Sequence, residues 1–453
     1  MSTEAVTLHR RLSTMSAALF GLSYICPVVL ISTFGVIAVQ SHGATTLAYL
    51  AATVAMILTA SSYGRMAARY PEAGSAYTYV SRTTNPTLGL VIGWVLMLDY
   101  FFIPMLICLI TSKAIEVAIP GVPLRVWVVT LAACVTIINL LGVKVADRVN
   151  LTIMAAQLAG LAGLAVVCIR YLLATGVGVA GGDVASLVPA TVSIPAVMGG
   201  AAIACYSFLG FDAVTTLSEE TRDPTRSIPR ATVIAAAAAG VIFMVTAYLM
   251  ARVHPSLQFH DVDDAGFEVI RPACGPLFMG VFMTVLIISN VAAAMCAQAG
   301  SSRLLYVMGR AGTLPRRSFG YLHPRFRTPS FGIALMGVVM LGGLWTDVET
   351  VTTCVNFGAF SAFLAVNLCV LVDHVSGRRQ LAGGPAKLVI AAIGAAASLG
   401  LIFSLGRTAL TVGALWLCIG LTYIACLTRA FRRPLPTTNV GSEEEAALAL
   451  EAE

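Results

Sequence analysis

Apolar residues in this chain come in long runs separated by short polar segments. A hydrocarbon core of roughly 30 Å needs about 20 such residues per helix. Twelve runs of that kind begin near Thr14, Ala44, Thr87, Leu124, Asn150, Ile194, Arg230, Gly275, Ser330, Thr350, Ala386 and Thr408. The pattern predicts an all-α polytopic membrane protein of twelve transmembrane helices. These fill a single domain over 14–433, flanked by tails at 1–13 and 434–453, and leave no room for a separate soluble domain. Composition agrees: 58% of the 453 residues are hydrophobic and 11% charged, against about 25% charged in a soluble domain. Mean hydropathy is +0.87.

Two runs are interrupted. The first contains GLSYICPVVL (21–30), where Pro27 removes a backbone hydrogen bond and clashes with the preceding turn. The sixth contains SFLGFD (207–212), where Gly210 weakens the helix and Asp212 can cap a new one. Breaks five helices apart are what two inverted five-helix repeats would produce. In that LeuT-like architecture, discontinuous helices meet at the bilayer midplane and their ends bind the cargo.

Charge sets the orientation. If the N-terminus is cytoplasmic, all but six of the 28 basic residues fall on the cytoplasmic side; the six are Lys113, Arg125, Arg170, Arg252, Arg271 and Arg407. The positive-inside rule then places both termini in the cytoplasm, and the net charge of +6 is a topology signal rather than a nucleic-acid footprint. The first run is too long for a cleavable signal core. The eleven cysteines form no CxxC pair, so neither a disulfide framework nor a metal site is expected. The segment HDVDDAGFE (260–268) reads as a solvated acidic loop. At the exit of the sixth run, SEETRDPTRSIPRA (218–231) places Glu219 and Glu220 beside Arg222, Arg226 and Arg230, an ion-pair network suited to an inner gate.

Two acids sit well inside runs, Asp99 in GWVLMLDYFFIPM (93–105) and Asp212. A carboxylate near the bilayer centre costs roughly 2.5–3.5 kcal/mol on insertion scales and marks a pathway or relay. Neither has a cationic neighbour at its depth, so the missing charge is the cargo, a proton, or both. Pro104 cannot donate to the carbonyl of Tyr100, which leaves an acceptor and an aromatic face beside Asp99. Tyr24 and Tyr206, next to the breaks, offer further aromatic faces. A carrier of α-amino acids in this architecture holds a carboxylate on free N–H groups at a half-helix start. Here the stretch Ser23-Tyr24-Ile25-Cys26-Pro27 has no glycine, and its proline has no N–H. Carbonyls, two carboxylates and aromatics without an anion site describe a pocket for a cation, best a diamine.

Several segments resemble the putrescine importers of the amino acid–polyamine–organocation superfamily. They are GLSYICPVVLISTFG (21–35), SSYGRMAARYPEAGSAYTYV (61–80), GWVLMLDY (93–100), YSFLGFDAVTTLSEETRDPTRSIPRA (206–231), SSRLLYVMGRAGTLP (301–315) and VNFGAFSAFLAVNL (355–368). The resemblance implies twelve helices in the inverted-repeat fold and uptake driven by the proton motive force, with protons rather than sodium as the coupling ion. It implies a small cationic amine as substrate, in the cytoplasmic (inner) membrane. Substrate-binding roles then fall on Asp99, Tyr100, Tyr24, Cys26, Tyr206, Phe208, Gly210 and Asp212, and coupling or gating on Asp212, Tyr206, Glu219 and Glu220. Cys26 stands where a hydroxyl residue is expected before the proline. The fifth run has no lysine in its interior, where some proton-coupled relatives place one, so a carboxylate would carry the proton. No cofactor is implied. An amino-acid permease or amine exchanger of the same fold is the alternative. HExxH, GxSxG and P-loop motifs are absent, against an enzyme, and the polar residues gather at two broken helices rather than in the rings of a channel.

Overall fold

The computed structural model describes residues 11–119, 121–141, 143–176, 192–260, 262, 265–324, 326–375 and 386–428. Most of both predicted tails, most of the acidic residues of the 260–268 loop, and the basic residues Arg325, Arg378 and Arg379 lie outside the described residues.

Local chemistry sets the helix ends. Ser13 caps α1 (Thr14–Ile25), accepting from the Ser16 amide at 3.1 Å. Asn85, followed by Pro86, caps α5 (Pro86–Ala118) through the Leu88 amide at 2.8 Å. Ser193 does the same for α8 (Ile194–Tyr206). A short polar side chain accepts an otherwise orphaned N–H in each case, and proline is harmless in a first turn.

The first run is broken as expected. Between α1 and α2 (Val29–Gln40) Cys26 takes a left-handed conformation, φ 53°, and the halves bend by 54° across Pro27. The sixth run stops at Tyr206, turns through 207–211, and resumes as a 3-10 helix over Asp212–Leu217. Gly210 sits in the turn with φ 110°, and a Cβ there would lie 2.1 Å from the Tyr24 ring. Glycine is therefore required twice at this position, by backbone conformation and by the approach of the first break. Pro104 and Pro229 lie inside helices that continue through them.

The other elements are α3 (Thr45–Arg69), α4 (Ser75–Thr83), α6 (Leu124–Leu140), α7 (Val143–Thr175), α9 (Pro224–Val253), α10 (Ala265–Ile270), α11 (Pro276–Arg310), α12 (Arg316–Phe319), α13 (Ser330–Met340), α14 (Val348–Val375), α15 (Ala386–Ser404) and α16 (Arg407–Leu427). Among the described residues, eight helices are long and apolar enough to cross a membrane, and the bent pair α1–α2 makes a ninth. Three shorter apolar helices, Leu124–Leu140, Ile194–Tyr206 and Ser330–Leu344, coincide with the fourth, sixth and ninth predicted runs. No strand occurs among the described residues.

Helix neighbours repeat in a way that exposes the inverted repeat. Helix α3 packs on α9, α5 on α11, and α6 on α13, pairing the second, third and fourth runs with the seventh, eighth and ninth. Contacts that should be equivalent under exchange of the two halves occur together: α1 with α9 and α3 with α8, α5 with α14 and α7 with α11, α5 with α6 and α11 with α13. The short helices follow the same rule, α4 against the 3-10 segment of the sixth run and α10 against α2. An internal two-fold that swaps runs one to five with six to ten accounts for all of these.

Candidate functional site

The two breaks meet. The ring of Tyr24, at the end of α1, fills the space beside Gly210, and Tyr24 and Tyr100 converge on Gly300 of α11, where a Cβ would lie 3.5 Å and 3.7 Å from their rings. The Tyr100 hydroxyl donates to Asp212 Oδ2 at 3.0 Å. Both carboxylates are buried, Asp99 at 2% and Asp212 at 1% exposure. Asp99 Oδ1 has no hydrogen-bond partner, and neither aspartate takes part in an ion pair among the described residues. Tyr24 and Tyr63 lie within electrostatic range of both carboxylates, and the half-buried Tyr206 within range of Asp99.

Three local expectations change. Asp212 does not cap the 3-10 helix: the cap position is Phe211, without a side-chain bond, and Asp212 is turned toward α5 instead. The Tyr100 carbonyl, freed by Pro104, is not left open. The Ser301 hydroxyl of α11 reaches it, shared with the Ala297 carbonyl at 2.7 Å. Phe208 is buried and packs edge-on against Phe243 of α9 with ring centroids 5.0 Å apart. Glu219 and Glu220 pair not with Arg222, Arg226 and Arg230 but with α11, Glu219 with Arg310 at 2.7 Å and Glu220 with Arg303 at 2.5 Å. Arginines close to the acids in sequence lost to arginines on a helix that the fold brings alongside.

Sequence reasoning missed the groups that hold these elements in place. Ser23 donates to Asn150 of α7 at 2.5 Å, and the Cys296 thiol approaches the same oxygen at 3.3 Å. Cys26 is flanked by Asn290 at 3.2 Å and Gln157 at 3.6 Å. Asn150 and Gln157 stand seven residues apart, on one face of α7, and that spacing of amides inside an apolar run was the available signal. A ring cluster of Tyr63, Phe211 and Phe363, with centroids 5.0–5.9 Å apart, backs Asp212.

The two ends of the bundle differ. At the end away from the N-terminal segment, α10 lies on α2 so closely that a Cβ on Gly266 would sit 1.8 Å from the Ile31 carbonyl. At the N-terminal end, the Arg11 and Leu12 amides donate to the Glu220 carbonyl and the Arg222 amide donates to Leu12, strapping the chain entry to the exit of the sixth run. Beneath that strap a cleft of about 50 Å³ runs between the start of α1, α11 and the segment before α13.

The chain matches the amino acid permease family over residues 17–381. It is 35% identical over 444 residues to the low-affinity putrescine importer PlaP of Escherichia coli (strain K12), covering 96% of this chain and 97% of that protein. It is 24% identical over 442 residues to the branched-chain amino acid permease BcaP of Bacillus subtilis (strain 168), covering 92% of each. It is 25% identical over 390 residues to the methylthioribose transporter of the same organism, covering 82% of each. With its two broken runs and internal two-fold, the chain belongs to the amino acid permease family of the amino acid–polyamine–organocation superfamily, as a multi-pass membrane transporter of LeuT-like fold.

Proposed function

We propose that the protein imports putrescine or a similar small aliphatic diamine across the cytoplasmic membrane, with protons rather than sodium as the coupling ion. The observation that carries this reading is Asp99, buried with one oxygen unpartnered and adjacent to the tyrosine that binds the second buried carboxylate. A buried ionised carboxylate without a partner is costly, and a positive charge arriving from outside relieves it. A diamine brings two. Asp99 holds one ammonium, and Asp212 either holds the other or exchanges a proton as the cargo leaves. Tyr24 and Tyr100 supply aromatic faces that attract ammonium groups, with Tyr206 and Cys26 toward the margins of the site. The first break supports an amine without a carboxylate: Pro27 has no N–H to offer, and Cys26 and Ser23 are engaged with amide side chains. The 35% likeness to a protein named as a putrescine importer supports the same substrate class. Both termini are cytoplasmic in this reading, so the cleft beneath the strap opens inward and the α10–α2 contact closes the outside. Rocking of the first, second, sixth and seventh runs against the rest alternates access, with Glu219 and Glu220 as inner locks.

The test is labelled putrescine uptake into proteoliposomes under an imposed pH gradient, with excess unlabelled ornithine outside the vesicles in a parallel sample. Gradient-dependent uptake that ornithine leaves intact is the expected result. Asp99→Asn should lower uptake on the order of 100-fold with normal membrane insertion, the scale on which losing one partner of a buried charge contact is felt. Normal putrescine transport by that variant overturns the site. A second reading, an amino-acid permease or amine/amino-acid exchanger of the same fold, is favoured by the 24% likeness to BcaP. It predicts that ornithine or a neutral amino acid competes strongly.

A further inference from the structure

The cleft at the N-terminal end holds three buried polar atoms without partners: Glu220 Oε2, Arg303 Nη1 and Thr328 Oγ1. Their residues are 2%, 6% and 3% exposed. Arg303 gives its Nε to Glu220 Oε1 and lays its guanidinium over the Phe20 ring at 5.5 Å, so the pair is fixed by one bond and one stacking contact rather than a closed fork. Orphaned polar atoms of this kind are rare in a folded interior and call for an occupant. Here they comprise one acceptor on a carboxylate, one donor on a guanidinium and one hydroxyl, around a space of about 50 Å³.

The charge of the lining selects among occupants. Arg303 and Glu220 present one charge of each sign to the cleft, each with an unpartnered atom. A diamine would answer Glu220 Oε2 but leave the guanidinium without an acceptor. An inorganic anion would satisfy the arginine but press its oxygens against Glu220 Oε2. A zwitterion meets all three groups, its carboxylate on Arg303 Nη1 and the Thr328 hydroxyl, its ammonium on Glu220 Oε2. We propose that this cleft is a second ligand site, separate from the Asp99–Asp212 pair, that takes the head group of a free α-amino acid from the N-terminal side of the bundle. Because the ligand bonds to both members of the Glu220–Arg303 pair, its occupancy holds α11 and the sixth run together. It therefore slows opening on that side and acts as an inhibitor rather than a second cargo.

The experiment separates the two sites in the full-length protein, reconstituted in nanodiscs. L-ornithine and putrescine binding are measured by calorimetry on Asp99→Asn, then on Asp99→Asn combined with Thr328→Val or with Glu220→Gln. The expected result is ornithine binding that persists in Asp99→Asn and weakens at least tenfold in each double variant. In proteoliposomes of the wild-type protein, ornithine placed inside should slow putrescine entry, and Thr328→Val should abolish that effect. Absence of ornithine binding to Asp99→Asn, or binding indifferent to both cleft substitutions, overturns the second site. Retention of putrescine binding by Asp99→Asn counts against the proposed diamine site and leaves the cleft result standing.

Discussion

The two broken runs occupy equivalent places in the repeat, yet they are held open by different means. At the first, a proline and a left-handed cysteine make the break, and neutral groups of α7 and α11 brace it: Asn150, Gln157 and Asn290. At the sixth, a single glycine makes the break; Ser207 of the turn is hydrogen-bonded with Tyr49 and Thr33, and an aromatic ring and a hydrogen bond to a carboxylate brace the rest. The first break is a neutral, multiply hydrogen-bonded hinge. The sixth adds a charged contact and a glycine that admits no side chain. Topological symmetry therefore does not imply chemical symmetry, and substitutions at the sixth break should cost far more than those at the first.

Gly210→Ala is the harshest test of that contrast. The new methyl group meets the Tyr24 ring, and alanine resists the left-handed φ by about 1–2 kcal/mol before any clash is counted. Putrescine uptake per inserted molecule should fall at least about 100-fold, since relieving the clash moves Tyr24 away from both carboxylates; a single 1.4 kcal/mol is already tenfold. Uptake within threefold of wild type would mean the two breaks do not need to touch.

Tyr100→Phe probes the charged brace alone. It keeps the ring and removes the only side-chain donor that the described hydrogen bonds assign to Asp212. Hydrogen bonds to charged groups contribute about 1.5–3 kcal/mol, so putrescine transport efficiency should drop roughly 10- to 100-fold. Its pH dependence should change as well, because the lost hydroxyl donates to the carboxylate proposed to exchange the proton. An unchanged pH profile would separate Asp212 from proton coupling.

The fold was legible because its signals are local and strong: apolar runs near 20 residues, with Pro27 and Gly210 interrupting two of them. The aspartates were legible for the same reason, since an acid inside lipid stands out in one dimension. Their surroundings were not. Ser301 reaching the Tyr100 carbonyl joins residues 201 positions apart, and Arg303 reaching Glu220 spans 83. Such partners are chosen by which helices the two-fold brings together, and nearby arginines in sequence gave a false lead.

Ser23→Ala tests the neutral hinge and should have the smallest effect. The bond lost is neutral, worth about 0.5–1.5 kcal/mol, and its acceptor is not abandoned, because the Cys296 thiol still approaches Asn150 Oδ1. An orphaned acceptor would push the cost toward the top of that range; a shared one holds it near the bottom. Uptake should stay within about threefold of wild type, and the detergent melting temperature should fall by no more than about 3 °C. If Ser23→Ala instead matched Tyr100→Phe in severity, the amides of α7 would be part of the transport pathway rather than its bracing, and the chemical asymmetry between the breaks would collapse. The double variant Ser23→Ala/Cys296→Ala then decides between those two accounts. With both donors gone, Asn150 is stranded in a buried site, so a loss well beyond the sum of the single effects identifies a shared brace, whereas simple additivity assigns each residue its own role.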